Sequence, residues 1–70
     1  MYIVIEMQTN DGTTSTITNA YDDESLAFQK YHQILSFAAV STVDVHTAVM
    51  MNEHGMVIRN EDFTHNSEES

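Results

Sequence analysis

Apolar and polar residues alternate near both ends of the chain, and apolar residues recur at helical spacing in its middle. Over residues 2–9, Ile3, Ile5 and Met7 fall on one side of an extended chain, with Tyr2, Val4, Glu6 and Gln8 on the other, the two-residue period of a strand. Asn10-Asp11-Gly12 supplies tight-turn chemistry, because Asp-Gly tolerates the positive φ angles that a hairpin needs. Residues 13–20, rich in threonine and isoleucine, form the return strand. Asp22-Asp23-Glu24 then opens a helix, where an Asp can cap free N–H groups and acids complement the dipole. From residue 25 to about 40, Ala27, Tyr31, Ile34, Leu35 and Ala38 recur at helical spacing, and Phe28 and Phe37 widen that stripe. Residues 42–51, dense in Val, Thr and Ala, predict a third strand; a turn over 52–55 and a fourth strand over 56–63 follow.

The order β-β-α-β-β predicts an α+β domain over residues 1–65, a four-stranded, mainly antiparallel sheet with one helix packed on one face. Residues 66–70 are polar and acidic and are expected to form a disordered tail. A single helix leaves one sheet face uncovered. In the third strand either Val45, Val49 and Met51 or Asp44, His46, Ala48 and Met50 can face the helix, and the second set is almost as apolar as the first, which leaves the register open.

Composition narrows the functional classes. The 70-residue chain carries eleven acids against two bases, Lys30 and Arg59, for a formal charge of −9. Affinity for nucleic acid comes from Lys and Arg neutralising phosphates, so direct binding to nucleic acid is not expected, nor is binding to an anionic membrane. The N-terminal residues carry no basic region, which does not fit a secretory signal, and no apolar run approaches the roughly 20 residues of a membrane span. The cytoplasm is the expected compartment. The chain has no cysteine, and domains below about 70–80 residues ordinarily need a disulfide, a metal or an oligomer interface to hold them. A metal or a dimer is therefore anticipated.

The four histidines make the metal concrete. His32 falls on the helix, His46 in the third strand, His54 in the second turn and His65 just after the fourth strand. None has the spacing of a local metal motif, so the fold must assemble any site. The last hairpin returns His65 towards His46, with His54 at its far end. A zinc held by His32, His46 and His65, completed by Asp44, Glu6, Asp62 or water, is the hypothesis these residues support. Such a metal would be structural, since the chain offers little room for a pocket and a general base, and no enzyme activity is expected. Strand alternation sets Ser41 opposite Asp44 and His46, which removes the one nucleophile–histidine–acid grouping.

The acids cluster at Asp22-Asp23-Glu24, at Glu61-Asp62 and in the tail. They solubilise the surface, and they also steer the chain towards positively charged proteins, with an attraction that salt weakens. Asp22, Asp23, Glu24, Glu61 and Asp62 are the candidate partner-binding residues.

Tyr31-His32-Gln33-Ile34-Leu35, followed by Ala38-Ala39-Val40-Ser41 and Val45-His46, resembles a family of small proteins carried by phages and prophages of Gram-positive bacteria. Glu6-Met7-Gln8-Thr9 with Asp11-Gly12, and the stretch from Gly55 to His65, fit the same pattern. Such proteins include type II-A anti-CRISPRs, and the chain is similar to a metal-binding kind that inhibits Cas9. The resemblance implies binding to Cas9 in the host cytoplasm, a block on target DNA loading, and His32, His46 and His65 as metal ligands; His54 has no counterpart in the pattern. The alternative is a phage structural or assembly protein or another interaction module without metal, a homodimer burying the uncovered sheet face through Val57 and Phe63 or through Val4 and Tyr2.

Overall fold

A computed structural model describes residues 1–65. The elements are β1 (Tyr2–Asn10), β2 (Thr13–Tyr21), α1 (Glu24–Ala38), β3 (Val45–Asn52) and β4 (Val57–Thr64). They form one four-stranded sheet in the order β2-β1-β3-β4, antiparallel at each pairing, with α1 across one face. This is the α+β, ββαββ arrangement that the alternation predicts. The acidic tail expected over residues 66–70 lies outside the described residues.

Local chemistry accounts for each junction. Asp11 and Gly12 both take positive φ, 54° and 78°, so β1 folds back on β2 with Asn10 opposite Thr13. Asp23 is the N-cap of α1, its carboxylate accepting the Ser25 N–H at 2.8 Å. The helix stops at Ala38, two residues short of the expected end. There the N–H groups of Val40 and Ser41 bond to the carbonyls of Phe37 and Ala38, a tightened last turn. β3 begins at Val45 rather than near residue 42, because the Ser41 hydroxyl takes the Val43 N–H and holds the connection out of the sheet. At the last turn Asn52 Oδ1 accepts from the N–H groups of both His54 and Met56, and Gly55 takes φ 82°.

The pairing settles which face packs. Val4 lies opposite Met50, Glu6 opposite Ala48 and Gln8 opposite His46, so these residues share the face beneath the helix. Val4, Ala48 and Met50 are fully buried there against Ala27, Tyr31 and Ile34 of α1, with Tyr2, Tyr21, Phe28, Leu35 and Ile58 around them. Full burial of a side chain such as Ile34 contributes about 1.5–3 kcal/mol, and this core holds few of them. Phe28 belongs to the helix stripe as expected, but Phe37 does not. It stands 60% exposed, although Ile34 and Ala38 in the same turn are buried.

The two sheet edges differ. β4 carries Arg59, Glu61 and Asp62 and is broken by a register shift opposite Met50 and Met51. β2 runs in unbroken register along β1, is exposed over most of its length and contains no charged residue.

Candidate functional site

The candidate histidines lie in different surroundings. His46 is buried, on the helix side of β3, and its Nε2 stands 2.7 Å from the carboxylate oxygen Oε2 of Glu6, to which the ring donates. Gln8 Nε2 donates to the same oxygen at 2.9 Å. Glu6, one of the acids considered as a fourth zinc ligand, is thus the histidine's own hydrogen-bond partner. His46 Nδ1 is buried with no protein partner. The β3–β4 pairing brings His65 to the same end of the sheet, where its N–H bonds to the Asp44 carbonyl at 2.7 Å. The His65 ring donates from Nε2 to the Ala38 carbonyl at 2.8 Å, a second donor on an oxygen that also accepts the Ser41 N–H, and stacks beside Phe63.

His32 stands apart from this pair. It is exposed on α1, stacked against Phe28, and lines an open groove of about 400 Å³ with Tyr21, Leu26, Gln29, Lys30 and Gln33. Tyr21 pairs with Tyr2, at the end of the sheet opposite to Gln8 and His46. His54 is exposed in the β3–β4 turn. Among the described residues no group of three or more His, Cys, Asp or Glu side chains is arranged to hold a metal ion. As placed, His32, His46 and His65 are not gathered at one point: His46 and His65 lie at one end of the sheet, each with Nε2 hydrogen-bonded, and His32 faces a different part of the surface.

The candidate partner-binding acids are all exposed and fall into two groups. Asp22, Asp23 and Glu24 follow β2, at one edge of the sheet; Glu61 and Asp62 lie on β4, at the other. Of the two bases, Arg59 lies over the Phe28 ring, 5.5 Å from its centroid, and Lys30 lines the groove beside His32. Glu61 lies close enough to Tyr31 to act on its titration. Burial, and then the charge of Glu61, push the Tyr31 hydroxyl above its ordinary value, with Arg59 opposing. Tyr31 Oη is buried with no protein partner. The Glu53 carboxyl is held below the usual glutamate range by its hydrogen bond from the N-terminal ammonium, 2.7 Å away, and by that group's charge.

The uncovered sheet face is apolar along its two central strands. The central strands present Ile3, Ile5, Met7, Val45, Val49 and Met51 there, opposite to the helix. Of the residues expected in a dimer interface, Val57 is on this face, opposite Met51, whereas Val4 is in the core and Tyr2 and Phe63 lie on the helix side. The correction follows from the register, which sends even-numbered positions of β1 and β3 to the helix. The alternation of Ile3, Ile5 and Met7 was the signal for the open face.

No helix of the described residues is long and apolar enough to cross a membrane. Compared with known proteins, the chain matches no family model, no curated protein and no solved structure.

Proposed function

We propose that this chain is a non-catalytic protein-binding module that docks its acidic residues on a basic protein surface, with Cas9 as the partner that the sequence resemblance puts first. The observation that carries the proposal is the exposure of Asp22, Asp23, Glu24, Glu61 and Asp62 on a chain with formal charge −9. Cas9 keeps nucleic acid in positively charged channels, and an acidic protein seated there competes with the phosphates of target DNA. The two acidic groups stand on opposite sheet edges, so a partner that meets both must straddle the molecule.

The test is direct binding of the purified chain to Cas9 across a salt series, with target DNA loading as the second readout. Binding that weakens as salt rises, and that falls on reversing Asp22, Asp23 and Glu24 to lysine, supports the proposal. Binding insensitive to both removes its electrostatic basis, and no binding removes Cas9.

The zinc implied by the resemblance is a separate part of the proposal. It would bind His46 and His65 through Nδ1, since Nε2 of each ring donates to Glu6 or to the Ala38 carbonyl, and it requires His32 to be brought to them. Elemental analysis of untagged protein, beside a melt with and without chelator, decides it. One zinc per chain with a lowered melting temperature supports the site, and absence of both withdraws it.

A further inference from the structure

We propose that the uncovered sheet face is a self-association surface, on which a second copy of this chain packs sheet against sheet. The proposal does not depend on the partner proposed above. Its first support is an inversion of the usual pattern. On the two central strands the face beneath the helix carries Glu6, Gln8, His46 and Asn52 among its apolar residues. On the same strands the uncovered face carries only aliphatic residues, methionine and two threonines, Thr9 and Thr47. The face left to solvent is the more apolar one.

The outer strands are more polar on this face and form its rim. β2 adds Thr14, Thr16, Thr18 and Ala20, and β4 adds Val57, Asn60 and Thr64. Asp62, opposite Thr47 on the edge strand, is the one charged side chain among these paired positions. Among the described residues, the strands thus keep all but one of their charged side chains off this face. Depletion of charge around an apolar centre is the compositional mark of an interface core. A basic partner has almost nothing to pair with there. The complementary surface is another apolar sheet centre with a mostly uncharged rim, and this chain carries one.

The area is sufficient. Four strands about 4.8 Å apart and about 30 Å long give a face of roughly 550 Å². Two such faces in contact bury on the order of 1,100 Å², just above the roughly 1,000 Å² at which specific interfaces begin. Stacked sheets pack about 10 Å apart with their strands nearly aligned. A two-fold axis lying between the faces, along or across the strands, keeps the Ile5–Val49 pair at the centre. The dimer also supplies a stabilising contact of the kind that a cysteine-free chain of this size needs.

The experiment is sedimentation equilibrium of the wild-type chain over a dilution series, at low and high salt. The expected result is a reversible assembly of two 7.9-kDa chains that tightens with added salt, because salt screens the repulsion between two acidic copies. Ile5→Lys should raise the dimer dissociation constant by about thirtyfold or more while leaving the circular dichroism spectrum unchanged. If Ile5→Lys fails to fold, Val49→Cys replaces it, since any thiol in this chain is then unique. A short bis-maleimide should join Val49→Cys chains into dimers and leave Gln33→Cys, on the exposed helix surface, monomeric. A wild-type monomer at every concentration overturns the proposal. So does a dimer that survives Ile5→Lys but is lost on Ile17→Pro, which would mean pairing through the β2 edge, or equal cross-linking at positions 33 and 49.

Discussion

Replacing Tyr31 by phenylalanine should make this protein more stable. Tyr31 is 1% exposed at the centre of the core, and its hydroxyl is buried without a protein partner. A buried polar group left unpaired costs about 1–3 kcal/mol, whereas the methylene-scale space vacated by one oxygen costs a fraction of that. The net expectation for Tyr31→Phe is a gain of about 1–2 kcal/mol, against a total stability of roughly 3.5–10 kcal/mol for a chain of this length. In a domain this small each kcal/mol moves the melting temperature by about 4–8 °C. Urea melts should show a higher midpoint with an unchanged slope, as for a mutation that leaves the exposed surface alone. Alkaline pH gives an independent readout. The folded hydroxyl titrates above its ordinary value of 10.0, so above that pH the unfolded chain releases its proton while the folded chain still holds it. Wild-type stability therefore falls as pH rises from about 10 to the folded value, and the phenylalanine variant lacks this contribution. The advantage of Tyr31→Phe should widen with pH over that window. A variant less stable than wild type at neutral pH would refute the reasoning, because the hydroxyl would then be contributing a favourable bond.

Three further outcomes follow from the same geometry. Glu6→Ala leaves both nitrogens of the buried His46 without a protein partner and should cost about 2–3 kcal/mol, near the low end for a broken buried pair because the glutamate side chain is partly solvated; Glu6→Gln, which keeps an acceptor, should cost less than half of that in a denaturant melt. Asp23→Ala removes the helix cap and should cost about 1 kcal/mol, with Asp23→Asn restoring most of it. Carboxyl titration followed by NMR should place Glu53 below the ordinary glutamate value, and acetylating the N-terminus should return it there. The small stabilisation from this contact is present above the ordinary glutamate pKa and is lost as pH falls through the folded value.

The order of elements was legible because each rests on a local signal: the alternation around Ile3 and Ile5, the Asp11-Gly12 turn, the Asp23 cap and the helical recurrence of Ala27, Tyr31, Ile34 and Ala38. The orientation of β3 was not legible. Val45, Val49 and Met51 compete on nearly equal terms with His46, Ala48 and Met50, and only pairing with β1 decides between them. The Glu6–His46 contact is hidden for the same reason, since it joins residues 40 positions apart through that register. Hairpin logic places His65 at the end of the sheet that holds His46. It gives no information about His32, whose direction depends on the rotation of α1 about its own axis. That rotation is set by how Tyr31 and Ile34 seat on Val4 and Met50.

The uncharged edge strand β2 has a consequence for the behaviour of the protein in bulk solution. Natural sheets commonly guard an exposed edge with a lysine, a proline or a bulge, and β4 follows that practice while β2 does not. What keeps β2 from templating on other chains at neutral pH is therefore the long-range repulsion of the whole acidic molecule rather than any gatekeeper of its own. Acidification towards the isoelectric point near 4.4, where partly protonated carboxylates balance the basic groups, removes this shared protection. Solubility should then pass through a minimum, with filament growth starting from β2, and recover at lower pH as the chain becomes cationic.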